Sequence, residues 1–327
     1  MTVTASCQHA PGPVASTTAG SALDDELREV DRVLDQVPEL AGPRHVELLP
    51  GGLTNRNYKV VTRDQAYVAR FSAADSALLG VDRAAEYYNS LVAAECGVGP
   101  SVVDYLPAES ALIISWIDGR TLAAADLEDP DRLARIADSV RRLHRGPRFA
   151  NDFNMFAVQR QYRQLVAERG FRLPPRYEDF EPQVSQIALA FSRAPAATVP
   201  CHNDLLASNL IDDGTSVWII DYEYSGNNDP AFELGNVWSE SNLSLDALEH
   251  LVTCYHQRPS RSATARARLW GLMSKYGWTL WASIQAAVSD LDFDFWSWGM
   301  EKYERAVAEF DGPDFPRLLG DVYQTAH

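Results

Sequence analysis

The chain has 327 residues, of which 46% are hydrophobic and 23% are charged. These values are typical of a globular protein and exclude a wholly disordered chain or a fibrous repeat. The 45 acidic residues outnumber the 29 basic ones, and the resulting formal charge of −16 disfavours nucleic acid and anionic lipid as partners. An acidic surface accepts cationic substrates, although most acidic proteins use such charge only for solubility.

The four cysteines, Cys7, Cys96, Cys201 and Cys254, form no CxxC pair, so neither a disulfide framework nor a zinc site is indicated. No apolar run approaches the roughly 20 residues that span a bilayer, and the first residues lack the pattern of a signal peptide. We therefore expect a cytoplasmic protein without a membrane partner. The assembly state stays open, with a homodimer among the options.

The first 117 residues predict a small sheet lobe preceded by a leader. Residues 1–22 are rich in Ala, Ser, Thr, Gly and Pro and are predicted to be disordered. Short apolar runs separated by Gly and Pro follow, among them a glycine-bearing hairpin with the sequence GGLTNRNY at residues 51–58. The predicted elements are helices at 23–40 and 84–95 and strands at 45–49, 58–62, 67–71, 101–105 and 111–116.

From residue 118 the pattern becomes helical. Asp129 and Pro130 open a segment whose apolar residues recur at helical spacing. Two short apolar strands, at 198–201 and 217–220, interrupt the helices, which continue to about residue 310. Strands first and helices later predict an α+β fold with two lobes, residues 23–117 and residues 118–327.

The most informative stretch is residues 201–221, which read CHNDLLASNLIDDGTSVWIID. One strand is followed by His202 and Asp204, Asn209 comes five residues later, and a second strand ends at Asp221. An Asp before a short turn can accept the proton of an attacking hydroxyl, while Asn and Asp oxygens can hold Mg²⁺ against the phosphates of ATP. The alternative, an ordinary buried polar turn, does not account for the combination of strands, HxDxxxxN and glycine turn.

This region resembles the choline and ethanolamine kinases, a branch of the protein-kinase-like phosphotransferases that includes the aminoglycoside phosphotransferases. The matching segments are CHNDLLASNLI and WIIDYEYSGNNDPAFELGNVWSE, and the resemblance extends from about Leu23 to the C-terminal helices. It implies a bilobal protein-kinase-like fold with a small antiparallel sheet lobe and a larger helical lobe. It also implies that Asp204 is the catalytic base, that Asn209 and Asp221 are Mg²⁺ ligands, and that His202 is structural.

A Walker P-loop is excluded, because none of the three lysines, Lys59, Lys275 and Lys302, lies in a GxxxxGK[ST] context. The GGLTNRNY hairpin matches the glycine- and hydroxyl-bearing loop of choline kinases, although a plain turn is the alternative. Arg70 and Glu86 occupy the positions of the phosphate-neutralising cation and its carboxylate partner, although Glu86 could instead lie on a solvated helix face. The predicted ATP-binding residues are Gly51, Gly52, Thr54, Asn55, Arg70, Glu86 and the interlobe residues Ser115 and Ile117.

A quaternary ammonium such as that of choline is bound best over aromatic faces. Trp278 and Trp281 lie three residues apart and share a helix face, although helix core is the alternative interpretation. The segment WTLWASIQAAVSDLDFDFWSW resembles the C-terminal box of choline kinases. By that resemblance the acceptor-binding residues are Glu223, Tyr224, Glu233, Trp278, Trp281, Phe295 and Trp298. Two departures are Glu233, where the family often has Asp, and SNLSLDALEHL, which replaces a tyrosine-rich stretch.

We therefore expect a kinase that uses ATP and Mg²⁺ to phosphorylate a small cationic amino-alcohol, with choline as the first candidate. Ethanolamine, thiamine or an aminoglycoside is the alternative acceptor, and each would need hydrogen-bond acceptors for its N–H groups. A pseudokinase that only binds nucleotide is the alternative of a different class. Its signature would be the loss of Asp204, Asn209 or Asp221, and all three are present.

Overall fold

The computed structural model describes residues 18–50, 55–72 and 78–323, with side chains from residue 25 onward. Residues 1–17 of the expected leader lie outside these ranges. Helix α1, Thr18–Leu34, begins within the last five residues of that leader. No helix in the described ranges is both long and apolar enough to cross a bilayer.

Five antiparallel strands form the N-terminal sheet. They lie in the order β1 (His45–Leu48), β2 (Asn55–Val61), β3 (Ala66–Ser72), β5 (Ala111–Ser115) and β4 (Val102–Leu106). Tyr58 and Val60 of β2 and Ala69 of β3 are buried and pack with α1 in an apolar cluster distinct from the main core. Helix α2, Arg83–Glu95, begins at Asp82, whose carboxylate accepts hydrogen bonds from two backbone N–H groups.

The rest of the described chain is mainly helical and contains the larger core. Several helix starts are fixed by capping side chains, such as Asp129 before α3, Asn154 before α4 and Asp229 before α6. The helices are α3 (Pro130–His144), α4 (Met155–Arg169), α5 (Glu181–Arg193), α6 (Pro230–Glu240), α7 (Leu245–His256), α8 (Arg261–Val288), α9 (Phe295–Phe310) and α10 (Phe315–Asp321).

Two small sheets interrupt the helices. In one, β7 (Val199–Cys201) pairs with β10 (Gly226–Asn228). In the other, β8 (Leu210–Asp212) lies between β6 (Arg120–Thr121) and β9 (Val217–Ile219). The α+β class and the two lobes expected from the sequence are confirmed, while β6, β8 and β10 were not predicted.

Helices α6 and α8 approach each other closely at two glycines, Gly235 and Gly271. A Cβ atom added at Gly235 would overlap the carbonyl oxygen of Ala267 and lie 2.5 Å from the amide nitrogen of Gly271. The obstacles are backbone atoms, so side-chain rotation cannot relieve the overlap. The crossing brings the C-terminal end of α6 against the middle of the long helix α8.

Gly235→Ala is therefore expected to lower the free energy of unfolding by about 3 kcal/mol or more, at the upper end of the usual cost of overpacking. Gly320→Ala is the matched control, because no atom lies within 4 Å of its added Cβ and it is in helix α10. Alanine should there be neutral or stabilising by up to about 1 kcal/mol. Urea denaturation of the two variants measures the contrast, and equal stabilities would contradict the close crossing.

Candidate active site

A cavity of about 610 Å³ lies between the five-stranded sheet and the helical lobe. Its walls come from both lobes, since Arg70 is on β3 and Trp278 is on α8. The predicted site residues that line it are Arg70, Ser115, Ile117, Asp204, Asn209, Asp221, Glu223, Tyr224, Trp278, Trp281 and Trp298.

The loop that follows β7 carries Asp204 and is hydrogen-bonded to side chains of helix α6. The carboxylate of Glu233 accepts hydrogen bonds from the backbone N–H groups of His202 and Asn203, at 2.9 and 3.0 Å. Asn236 accepts another from the backbone N–H of Leu205 at 2.6 Å. These bonds, together with the left-handed backbone of Asn203 at φ 68°, define the path of the loop.

Glu233 was expected to contact the acceptor, but the structure places it elsewhere. Its side chain is fully buried beneath the loop, and it is not among the residues that line the cavity. Burial raises the pKa of this carboxyl to about 7, and its bonds to the two loop N–H groups oppose that rise. Its position therefore suits an anchor of the loop and not an acceptor contact.

His202 lies in the same layer as Glu233. Its Nε2 atom is 2.8 Å from the carbonyl oxygen of Ile220, and its Nδ1 atom accepts a hydrogen bond from the backbone N–H of Asp204. Burial lowers the pKa of His202 to about 4, so the ring is neutral near pH 7. The neutral ring donates from Nε2 and accepts at Nδ1. It thereby connects the chain after β7, which carries Asp204, with the chain after β9, which carries Asp221.

Asp204, Asn209 and Asp221 meet on one side of the cavity. The side-chain amide nitrogen of Asn209 donates to the backbone carbonyl oxygen of Asp204 at 2.9 Å, and the backbone carbonyl oxygen of Asn209 accepts from the backbone N–H of Ile220 at 3.0 Å. Asp221 has a left-handed backbone with φ 73°, which costs a non-glycine residue about 1–3 kcal/mol. Burial raises the pKa of Asp204 well above its usual value, and neighbouring carboxylates raise it further.

Arg70 joins the two lobes through three carboxylates. Its guanidinium lies 3.0 Å from Glu86 on α2, 2.5 Å from Asp221 and 3.1 Å from Glu223. Burial alone would lower the pKa of Arg70, but the three negative charges outweigh burial and raise it. Glu86 does not line the cavity; it lies behind Arg70, buried.

A second arginine, which the sequence analysis missed, supports this group. Arg83 lies 2.7 Å from Glu86 and 3.2 Å from Glu223, so it shares both carboxylates with Arg70. The side-chain amide of Asn55 donates to Glu223 at 3.0 Å. Asn55 therefore contacts a lining residue, Glu223, but does not itself line the cavity. The other predicted residues of the glycine hairpin, Gly51, Gly52 and Thr54, lie outside the described residues.

Aromatic side chains form the other end of the cavity. The Tyr224 and Trp278 rings meet edge to face with centroids 5.0 Å apart, and the indole N–H of Trp281 donates to the Tyr224 hydroxyl at 2.8 Å. Trp298 packs edge to face on Trp281 at 5.8 Å. Phe295 also packs on Trp281 at 5.8 Å but is not a lining residue.

A buried ion pair that was not predicted from the sequence lies at this aromatic end. Glu240, the last residue of α6, lines the cavity and bonds the ammonium of Lys302 on α9. Their side chains are only 2% and 3% exposed, and the ammonium lies 4.1 Å from the centre of the Trp298 ring. The sequence signal for this pair was weak: Glu240 closes the motif region, and Lys302 follows Trp298 by one helical turn.

Comparison with known proteins adds to this geometry. The phosphotransferase enzyme family matches residues 45–270. Protein LicA from Haemophilus influenzae is 26% identical over 249 residues, which cover 72% of this chain and 72% of LicA. Ethanolamine kinase 2 from Rattus norvegicus is 24% identical over 337 residues, which cover 92% of this chain and 87% of the kinase.

The crystal structure of a choline/ethanolamine kinase family protein from Mesorhizobium loti superposes with a TM-score of 0.80 and 29% sequence identity. The match covers 90% of this chain and 98% of that protein. The shared architecture confirms the protein-kinase-like fold, and the family match extends over more than half of the sequence. The chain therefore belongs to the phosphotransferase enzyme family and is a small-molecule kinase, and its relatives include proteins named choline and ethanolamine kinases.

Proposed function

We propose that the protein transfers the γ-phosphoryl group of ATP to the hydroxyl group of choline, with Mg²⁺ as the cofactor. The observation that carries this proposal is the position of the aromatic residues Tyr224, Trp278, Trp281 and Trp298, which line the same cavity as Asp204. A cavity with a carboxylate at one point and aromatic faces at another suits a molecule with a hydroxyl at one end and a quaternary ammonium at the other.

The nucleotide would occupy the side of the cavity formed by β3, β5 and the interlobe segment. The N–H groups of Ser115 and Trp116 are already bonded, to the carbonyl oxygens of Ser101 and Ala66 at 2.8 and 3.0 Å. Ile117 follows them, so its backbone N–H and C=O groups are the next along the chain that would be available to hydrogen-bond the adenine ring. Arg70 lines the cavity farther along β3, where a guanidinium would contact the phosphates.

Asn209 and Asp221 would hold Mg²⁺. Both line the cavity beside Asp204, and their side-chain oxygens are the hard ligands that Mg²⁺ prefers. The amide nitrogen of Asn209 is committed to the Asp204 carbonyl, so its amide oxygen is the atom left for a metal. Bound there, Mg²⁺ would neutralise charge on the phosphate oxygens.

Asp204 would orient the acceptor hydroxyl and take its proton. The hydroxyl oxygen forms a bond to the γ-phosphorus as the bond between that phosphorus and the β–γ bridging oxygen breaks, and ADP leaves with the bonding electron pair. The proton passes to the Asp204 carboxylate. The Glu233, Asn236 and His202 bonds hold the loop so that this carboxylate stays in place before the acceptor binds.

The charges at the aromatic end favour a quaternary over a primary ammonium. Glu240 is neutralised by Lys302, and Glu223 is bonded by Arg70 and Arg83. A primary ammonium needs several hydrogen-bond acceptors to replace its water, whereas a quaternary ammonium needs apolar and aromatic contact. Ethanolamine remains the second candidate, because the rat relative that aligns with 92% of this chain bears that name.

An ATP-consumption assay over choline, ethanolamine, thiamine and an aminoglycoside, with and without Mg²⁺, tests the proposal. We expect the highest kcat/KM with choline and activity only with Mg²⁺. A higher kcat/KM with ethanolamine would overturn the choline assignment and keep phosphoryl transfer. No ATP consumption with any acceptor would overturn the function itself.

Trp281→Ala is expected to raise the KM for choline about tenfold or more while the KM for ATP changes by less than about twofold. A desolvated cation–aromatic contact is worth about 2 kcal/mol, and about 1.4 kcal/mol is tenfold in affinity. Trp281→Phe, which keeps an aromatic face but not the hydrogen bond to Tyr224, should do less harm. Steady-state kinetics with each substrate varied in turn measure both constants.

Trp296→Ala is the matched control for this prediction. Trp296 is on the same helix as Trp298, is not a lining residue, and stacks under Arg172 at 3.7 Å. Its loss should leave both KM values unchanged. If Trp281→Ala has a lower Tm but its folded fraction keeps the wild-type KM for choline, Trp281 is a core residue. The assignment of the aromatic residues to choline binding is then wrong.

A further inference from the structure

A second cavity, of about 310 Å³, lies on the helical lobe and shares no lining residue with the first. Helices α6, α8 and α9 and the turn after α9 form its walls. Its lining includes three basic residues and two acidic ones: Arg268, Lys275, Arg305, Glu309 and Asp314. The excess of positive charge is unusual in a chain with a formal charge of −16.

The two carboxylates of this cavity are already bonded to two arginines, because Asp314 also lies 3.0 Å from Arg317. The Arg268 guanidinium lies 2.9 Å from both Glu309 and Asp314. The nearest ion pair of Arg305 is a 3.6 Å contact with Glu301, which lies one turn before it on the same helix. Arg268 and Arg317 therefore balance the charges of Glu309 and Asp314, and the cations left for a ligand are Lys275 and Arg305.

Lys275 is the cation that most needs a partner. It is only 4% exposed, and its ammonium lies 3.9 Å from the centre of the Trp238 ring. Among the residues that the structure describes, no carboxylate forms an ion pair with this ammonium, in contrast to Lys302, which bonds Glu240. A buried ammonium without an anion carries a desolvation cost that a bound anion would offset.

Two further observations support a bound anion at Lys275. Burial lowers the pKa of Lys275 to about 8, with Glu309 opposing that shift, so the side chain stays mainly charged at pH 7. Trp238 lines the cavity as well, and its indole N–H is buried without a hydrogen-bond partner in the described part of the chain. Buried polar groups of this kind are usually satisfied, by protein, water or a ligand.

We propose that this second cavity binds a small oxyanion, a phosphate or a carboxylate, through Lys275 and Arg305 beside Trp238. The site is separate from the phosphoryl-transfer cavity and does not depend on the function proposed for it. Charge-assisted hydrogen bonds from an ammonium and a guanidinium supply the affinity, and the cavity volume limits the ligand to a small molecule.

Isothermal titration of the full chain with inorganic phosphate, and separately with acetate, tests the site. We expect Lys275→Met to weaken anion binding at least about tenfold, because the ammonium supplies a charge-assisted bond. Arg305→Met should weaken it to a smaller extent, which keeps the test valid if the first variant folds poorly. Any phosphate bound in the main cavity is retained in both variants, so the difference isolates the second site.

Lys59→Met is the matched control, since Lys59 also lies over a tryptophan ring, 4.1 Å from that of Trp116, but far from this cavity in the N-terminal sheet. It should bind anions as the wild type does. Preference for phosphate or for acetate identifies which oxyanion the site takes, and either supports the proposal. Equal anion affinity in the wild type and Lys275→Met, or no binding by the wild type, overturns it.

Discussion

Asp204→Asn is expected to lower kcat by about 10²- to 10⁴-fold, the usual contribution of a positioned proton acceptor. The Kd for ATP should change by less than about twofold, because the substitution leaves Arg70 and the interlobe backbone intact. The amide keeps the shape of the carboxylate, and the backbone carbonyl of residue 204 can still accept the hydrogen bond from Asn209. The loss should therefore appear in the chemical step, measured as kcat with choline, and calorimetry with ATP measures the binding.

Asp213→Asn is the control for this variant. Asp213 is in the turn between β8 and β9, nine residues along the same motif, and bonds Thr215 and Trp218 on the surface. Its substitution should leave kcat unchanged. Wild-type kcat in Asp204→Asn would remove this residue from the role of base, and equal losses in the two variants would point to general damage of the motif.

Lys302→Met is expected to lower the free energy of unfolding by about 3–5 kcal/mol. The substitution leaves the Glu240 carboxylate buried without its partner, and breaking a buried ion pair on one side costs about this much. The double variant Glu240→Gln with Lys302→Met should recover most of the loss, since no buried charge then remains. Urea denaturation of the wild type, the single variant and the double variant measures both effects.

The contrast with Lys59→Met separates burial from the mere loss of a lysine. Lys59 contacts the Trp116 ring as Lys302 contacts the Trp298 ring, but it is less buried and forms no ion pair within the described part of the chain. Its substitution should cost less than about 1 kcal/mol. A double variant that is no more stable than Lys302→Met would show that the unpaired charge is not the cause.

The sequence predicted best those features that local pattern encodes. Short apolar runs separated by Gly and Pro predicted the five strands of the N-terminal sheet, and the residues of the HxDxxxxN motif and its second strand, Asp204, Asn209 and Asp221, line one cavity. Strands β6, β8 and β10 were missed because two or three residues are too few to show a period of two. The division between residues 117 and 118, and the chemical roles of the site residues, stay predictions.

Local pattern could not show whether a polar residue of a helix lines the cavity or is buried elsewhere. Glu233 and Glu240 are on the same short helix, yet one is buried under the loop and the other lines the cavity. Their partners are distant in sequence: 31 residues separate Glu233 from His202, and 62 separate Glu240 from Lys302. Only tertiary packing decides such pairs, so spacing alone could not pair Glu240 with Lys302. Arg83 differs, because it lies three residues before Glu86 on α2 and that pair has a local signal.

Helix α8 contributes to both cavities, because Lys275 lines one and Trp278, less than one turn later, lines the other. The two ligands would therefore contact the same helix. A shift of α8 that changes the affinity of one site would also move a lining residue of the other. Such linkage is reciprocal at equilibrium: an anion that tightens choline binding by some factor is itself bound tighter by the same factor when choline is present.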